Sequence, residues 1–175
     1  MNTHKETLVG SIISINGNLI SVKLTENLKS TMPIIDGLVY HVGQIGSFLR
    51  IPLGYANLYG IVTQIGADAI PESLKEIAFQ ENEPNLCKRW MSLVLMGERI
   101  GNKFERGITQ FPTAGDEVHL VTIDDLNIIY GGFDEKNSIV VGNISVSESL
   151  PAKIDLDKLV TRHCAIIGST GSGKS

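Results

Sequence analysis

Alternating apolar and polar residues near the N-terminus predict a β-hairpin. Leu8–Ile15 is typical of a strand, and between Leu19 and Thr25 every second residue is apolar. The dipeptide Asn16-Gly17 lies between these two runs, and it is a common signal for a two-residue hairpin turn. The pattern therefore indicates two antiparallel strands, with one face of the second strand buried.

Similar short apolar runs, separated by glycine and proline, predict further strands. Glycine accounts for 18 of the 175 residues, about 10%, against a usual ~7%. Many short strands without a long amphipathic helix favour a small β-barrel or sandwich, and closure of a barrel removes unpaired edges. A polar segment, Pro71–Arg89, predicts a short helix or an excursion between strands. The further predicted strands are Gly43–Pro52, Leu58–Ile65, Trp90–Met96, Val118–Ile123 and Ser138–Ile144.

The C-terminal part has a different organisation. Ser145–Pro151 is small and polar and ends in proline, which is typical of a linker. Three short elements are expected after it: a strand at Lys153–Leu156, a helical turn at Asp157–Arg162 and a buried strand at His163–Ile167. We therefore predict a mainly β chain with a barrel at 1–145, a linker at 146–152 and the start of an α/β domain at 153–175.

The last eight residues fit the P-loop pattern G-x-x-x-x-G-K-[ST]. Glycines allow the backbone amides to surround a phosphate, and the apolar run before the motif is the context that a P-loop requires. Lys174 is the predicted catalytic contact to the β- and γ-phosphates, and Ser175 is the predicted Mg²⁺ ligand. The cofactors implied are ATP and Mg²⁺. The predicted nucleotide-binding residues are Gly168, Ser169, Thr170, Gly171, Ser172, Gly173, Lys174 and Ser175.

No residues follow this motif, although a P-loop also requires a helix and a second acidic Mg²⁺ ligand. We therefore expect the sequence to be part of a longer P-loop ATPase. The longer protein is expected to be the enzyme, and the 175 residues alone are expected to be inactive.

Composition narrows the class of partner and the compartment. Fifteen Lys and Arg against nineteen Asp and Glu give a net charge of −4, which is not typical of a dedicated nucleic-acid domain. No apolar run reaches the ~20 residues that a membrane helix needs, and no signal peptide is recognisable. Cys87 and Cys164 lack metal-ligand spacing. A cytoplasmic protein without a membrane segment is expected.

The remaining polar candidates have simple structural interpretations. Two acidic pairs are expected to be solvated turn residues, one histidine is expected on the surface, and one basic cluster interleaved with glutamates is expected to be a solvated loop. Arg162 is expected to form a structural salt bridge, and the alternative is a contact with a neighbouring subunit or with the nucleotide. The acidic pairs are Asp124-Asp125 and Asp155-x-Asp157, the histidine is His119, and the basic cluster is Arg99, Lys103 and Arg106.

A small N-terminal barrel followed by a linker and a P-loop motif resembles the HerA group of ATPases, which are relatives of FtsK-type DNA pumps. The resemblance extends from the barrel to Arg162-His163, the apolar run and GSTGSGKS. Within the barrel it includes Val42–Phe48 running into Arg50–Gly54. It also includes Phe104–Ile108, followed by Phe111-Pro112 and Gly115-Asp116.

The resemblance implies an N-terminal HAS barrel, a RecA-like motor domain and a hexameric ring that translocates on duplex DNA. It further implies an effector partner, a nuclease or a sirtuin-like NAD hydrolase, in DNA-end processing or antiphage defence. From the family pattern, Gly168, Gly173, Lys174 and Ser175 carry over directly. Two alternatives stay open: an ATPase acting on protein assemblies, and a barrel that serves purely as an interaction module.

Overall fold

The architecture is taken from a computed structural model of the chain. It describes residues 7–25, 34–35, 38–39, 44–67, 89–132, 135–144, 147–161, 163, 165, 167–169 and 171. The chain forms two compact units, Met1–Asp125 and Leu126–Ser175. The predicted excursion at Pro71–Arg89 lies almost entirely outside the described residues.

The first unit contains a closed antiparallel barrel. Its six strands follow the order β1-β9-β5-β6-β7-β2, and β2 pairs with β1 to close the ring. The fold-class prediction of a mainly β chain with a small barrel is thus confirmed. The strands of this ring are β1 (Leu8–Asn16), β2 (Leu19–Leu24), β5 (Phe48–Leu53), β6 (Ala56–Ala67), β7 (Arg89–Ile100) and β9 (Glu117–Leu120).

Three shorter strands complete the first unit. β8 (Lys103–Arg106) pairs with the C-terminal part of β7, while the N-terminal part of β7 pairs with β2. The two-residue strands β3 (Ile34–Ile35) and β4 (Leu38–Val39) pair only with each other in the described part. Around Lys103 the side chains are solvent-exposed as expected, but β7 and β8 form a hairpin there rather than a loop.

The barrel interior is apolar, and every strand of the ring contributes to it. In five of these strands the contributing residues are an even number of positions apart, because side chains on a strand point to opposite faces in turn; in β1 they are Val9 and Ile12. Register shifts between β1 and β2, and at two points between β6 and β7, are β-bulges, which bend strands and assist closure. The core residues are Val9, Ile12, Ile20, Val22, Leu24, Leu49, Ile51, Leu58, Val62, Met91, Leu93, Leu95, Val118 and Leu120.

The N-terminal hairpin has the predicted alternation but a different turn. Asn16 pairs with Leu19, so the two turn residues are Gly17 and Asn18 rather than Asn16 and Gly17. Gly17 has a φ of +61°, a conformation that glycine adopts more readily than other residues. The positive φ explains why the glycine occupies the first turn position.

The second unit contains a two-stranded sheet and short helical segments. β10 (Ser138–Ile144) pairs antiparallel with β11 (Ser147–Asp155) in a separate sheet. The prediction that Ser138–Ile144 is a strand of the barrel is therefore wrong. The remaining elements are helix α1 (Ile123–Tyr130), which begins in the first unit, a 3-10 helix (Glu135–Asn137) and helix α2 (Leu156–Val160). Neither α1 nor α2 is long and apolar enough to cross a membrane.

Two predicted boundaries differ from the structure. The predicted strand Val118–Ile123 ends at Leu120, because Ile123 already begins helix α1. Residues 147–152 of the predicted linker lie in β11, where Pro151 is opposite Asn143. Proline is compatible with such an edge strand, since it lacks an N–H group for pairing. The domain limits at 145 and 153 stay a prediction.

Candidate functional site

The glycine-rich segment at the C-terminus is the main candidate site. Of its eight predicted residues, Gly168, Ser169 and Gly171 are described, whereas Thr170 and 172–175 lie outside the described residues. Gly171 has a φ of +82°, and no atom lies within 4 Å of the position a Cβ would occupy there. A positive φ within a glycine-rich loop turns successive amides toward one side, as an anion-binding nest requires. The φ of Gly171 is compatible with such a loop, and the nucleotide-binding role of residues 168–175 stays a prediction.

The predicted strand before this segment is not formed at the described positions. His163, Ala165 and Ile167 lie outside any strand, and the Ile167 side chain is 92% exposed. A strand that is buried on both faces needs neighbouring strands to pair with. None of the described strands pairs with these three residues, which accounts for the difference.

Two acidic residues near α2 stabilise local structure. Asp155 caps the helix, and its Oδ1 accepts a hydrogen bond of 3.1 Å from the Lys158 backbone N–H. Asp157 lies in the first turn and its carboxylate accepts a hydrogen bond from Asn137. The predicted helical turn is confirmed; Asp155 has a capping role, whereas Asp157 is exposed, as expected for a solvated acid.

A second cluster of polar residues is buried in the first unit, around Asp125. Tyr59 donates a hydrogen bond of 2.8 Å to Asp125 Oδ1, and Arg99 Nη1 donates to the same oxygen at 3.0 Å. Arg50 Nη1 lies 3.5 Å from Asp125 Oδ2. Thr122 donates to Oδ2 through its backbone N–H at 3.1 Å and its hydroxyl at 2.9 Å. The Asp125 side chain is only 1% exposed, so its assignment to a solvated turn was wrong.

Ionisation at this cluster favours a structural role. Burial, followed by the hydrogen bond to Asp125, raises the pKa of the Tyr59 hydroxyl. Tyr59 therefore stays protonated and donates, while the carboxylate is matched by two guanidinium groups. A protonated tyrosine and a paired carboxylate are poorly suited to general-base catalysis. The sequence signal that could have revealed Asp125 is Thr122-x-x-Asp125, a variant of the capping box.

His119 is a further residue whose location was wrongly predicted, since it is 1% exposed. Its Nδ1 lies 3.1 Å from the Thr7 hydroxyl, and its Nε2 lies 3.1 Å from Glu117 Oε2. It lies in β9 directly opposite Leu8 of β1 and Arg50 of β5. Central position in the sheet explains the burial of its ring.

Glu98 is also buried, at 4% exposure. Its carboxylate accepts hydrogen bonds from the Thr109 backbone N–H at 3.1 Å and from the Thr109 hydroxyl at 2.9 and 3.0 Å. Through these hydrogen bonds Thr109, which follows β8, is attached to Glu98 of β7. Within the part of the chain that the structure describes, no three His, Cys, Asp or Glu residues are grouped as metal ligands.

Comparison with known proteins identifies the class to which the glycine-rich segment belongs. Residues 139–175 match the family model described as the central domain of helicase HerA. Over 61 residues the chain is 34% identical to the DNA double-strand break repair helicase HerA of Pyrococcus furiosus. That alignment covers 35% of this chain and 10% of the relative, so the chain matches about a tenth of the relative's length.

The family match places similarity to a helicase of the P-loop ATPase class in residues 139–175, and the alignment with the relative supports the same class. More specifically, they confirm the predicted resemblance to the HerA type of ATPase. The family match begins at residue 139, in strand β10, and it includes the whole glycine-rich segment.

Proposed function

We propose that the protein acts as a HerA-type, ATP-driven motor and that residues 168–175 bind Mg–ATP. One observation carries the proposal: the match to the HerA central domain includes the complete P-loop motif at its C-terminal end. The positive φ of Gly171 supports it, since this backbone conformation suits a phosphate-binding loop.

Each residue of the motif has a role in this proposal. Backbone amides from Gly168 to Gly173 surround the phosphates, since glycine permits the tight turns required. The Lys174 ammonium neutralises charge on the β- and γ-phosphates, and the Ser175 hydroxyl is a ligand of Mg²⁺. Bound Mg–ATP supplies the phosphoryl bond whose hydrolysis drives the motor.

At the level of the whole protein, we propose a hexameric ring that translocates on duplex DNA. The printed name of the Pyrococcus furiosus relative, a DNA double-strand break repair helicase, supports a DNA substrate. The net charge of −4 means that DNA affinity must come from local surfaces rather than from overall charge. A cytoplasmic location fits this role.

We propose that the barrel organises the ring and binds an effector, a nuclease or a sirtuin-like NAD hydrolase. DNA-end processing and antiphage defence are the two roles we propose for such a complex. The barrel's buried polar clusters act in its own fold, which leaves its outer surface for assembly. Tyr55, 72% exposed in the turn between β5 and β6, is a candidate contact, as is the Pro71–Arg89 segment.

Two alternatives are separated from this proposal by activity measurements. An ATPase that remodels protein assemblies would hydrolyse ATP without stimulation by duplex DNA. A barrel acting purely as an interaction module would keep full biological activity after Lys174→Ala. The test is the ATPase rate of the full-length protein with and without duplex DNA, beside the same measurement on Lys174→Ala. We expect DNA to stimulate only the wild type, and equal rates with and without DNA would contradict the DNA-motor proposal.

The proposal for the barrel needs a separate test. Light scattering of the purified chain, alone and with a co-encoded effector, reports both self-association and docking. A strict monomer at high micromolar concentration that also ignores the effector would contradict this part of the proposal.

A further inference from the structure

One buried carboxylate lies at the point where the chain leaves the first compact unit. Asp125 is the last residue of that unit, and helix α1 continues past it to Tyr130. The residues matched by the HerA family begin later in the sequence, at 139. Any connection between the barrel and the HerA-type segment therefore passes through α1.

The two oxygens of Asp125 bind different parts of the structure. Oδ1 accepts hydrogen bonds from Tyr59 of β6 and Arg99 of β7, both in the barrel wall. Oδ2 accepts hydrogen bonds from the Thr122 backbone N–H and hydroxyl, and Thr122 Oγ1 accepts one from the Asp125 N–H at 3.3 Å. This reciprocal pair begins α1, so the same carboxylate caps the helix and binds the wall.

The first turn of α1 therefore depends on the barrel wall. A helix of 8 residues is too short to be stable without tertiary contacts. A carboxylate that is 1% exposed also needs its cations, because an unpaired buried charge is strongly unfavourable. Loss of Arg50 or Arg99 would leave the buried Asp125 charge with one cation instead of two, and exposing the carboxylate to water would undo the helix cap.

We propose that Asp125 is a latch that fixes the start of α1, residues 123–125, to strands β5, β6 and β7. The first turn of α1 is folded while Asp125 is bound to Arg50, Tyr59 and Arg99. Release of the carboxylate is expected to free the start of α1 more than the barrel ring, since among the described residues Tyr59 is the one buried core residue bound to Asp125 and the apolar core cluster supplies no partner to it. This inference does not depend on the proposed ATPase activity.

Hydrogen exchange of the purified chain tests the latch. Asp125→Asn keeps the shape and removes the charge, while Asp124→Asn makes the same change at the exposed neighbouring position. Hydrogen bonds to an ionised group are roughly twice as strong as those between neutral groups. We therefore expect amides of residues 127–130 to exchange about tenfold to a hundredfold faster in Asp125→Asn, and to be unchanged in Asp124→Asn. Amides of β2 and β7 are expected to keep their protection.

The comparison also defines what would overturn the latch. Equal exchange rates of the α1 amides in Asp125→Asn and Asp124→Asn would overturn the latch. A loss of protection in the barrel as large as that in α1 would also overturn it, because it would indicate a general structural role of Asp125. An α1 without protection in the wild type would overturn it as well. If Asp125→Asn does not fold, Tyr59→Phe decides: it removes one donor to Oδ1, and it is expected to accelerate exchange in α1 more than in β2 and β7.

Discussion

Gly10 in β1 offers a direct test of how the barrel closes. It lies opposite Leu24 of β2. A Cβ atom at this position would lie 2.1 Å from the backbone oxygen of Lys23 and 3.0 Å from Cα of Leu24. Both neighbours are backbone atoms, so a rotamer change cannot relieve the contact. Gly10→Ala therefore requires β1 and β2 to separate by about 1 Å.

The expected cost follows from that separation. Overpacking in a well-packed region costs about 1–3 kcal/mol, and a weakened backbone hydrogen bond costs about 1 kcal/mol more. The bond at risk is the one of 2.8 Å from the Thr25 N–H to the Val9 oxygen, beside Gly10. We expect Gly10→Ala to reduce the free energy of unfolding by about 2–4 kcal/mol.

Urea unfolding followed by the fluorescence of Trp90, the only tryptophan in the sequence, measures this effect. Ser11→Ala is the control, because Ser11 lies at the neighbouring position of the same strand and already carries a Cβ atom. We expect the control to stay within about 0.5 kcal/mol of wild type. A similar result for Gly10→Ala would refute the steric argument.

Three further predictions address the buried tyrosine, the core and the motif. The fold raises the pKa of Tyr59, so its hydroxyl stays protonated where the same tyrosine in the unfolded chain, with a pKa near ~10, has lost its proton. Ionisation of the unfolded chain favours unfolding, so wild type loses stability above about pH 10. The stability difference between wild type and Tyr59→Phe should therefore shrink between about pH 9 and 11.5 by urea unfolding, and a constant difference would contradict this. Ile51→Ala, at a site 0% exposed, should cost about 2–5 kcal/mol, whereas Val140→Ala, at 61% exposed, should cost under about 0.5 kcal/mol; equal costs in chemical denaturation would count against the assigned core. Lys174→Ala should abolish ATP turnover by the full-length protein in a phosphate-release assay, and retained turnover would argue against its role.

The elements that sequence predicted well are those whose signal is local. In β2 the alternation of Ile20, Val22 and Leu24 is visible within a few residues, and all three lie in the core. The run from Trp90 likewise became β7. Short-range periodicity is sufficient for such strands because their burial depends on one face alone.

The buried polar residues could not be predicted in this way. Asp125 is bound by Tyr59 and Arg99, which lie 66 and 26 residues away in sequence. His119 similarly contacts Thr7, 112 residues away. Burial of a polar side chain depends on partners that only the closed barrel brings together, so local pattern assigns such residues to the surface.

For the candidate site, the motif identified the segment, but the local structure before it was not predicted correctly. The run ending in Ile167 has the composition of a buried strand, yet Ile167 is almost fully exposed. Apolar composition shows that a segment can be buried, whereas pairing depends on neighbouring strands that the pattern does not reveal.

Nucleotide binding by the P-loop segment tests the central claim most directly. The measurement is equilibrium titration of the full-length protein with a fluorescent ATP analogue, with and without Mg²⁺, for wild type, Lys174→Ala and Ser175→Ala. We predict that wild type binds the analogue saturably and that its binding depends on Mg²⁺. Lys174→Ala should bind at least tenfold more weakly, which corresponds to about 1.4 kcal/mol or more. Ser175→Ala should lose the dependence on Mg²⁺. Equal affinity of all three proteins for the analogue would contradict the assignment of residues 168–175 as the nucleotide site.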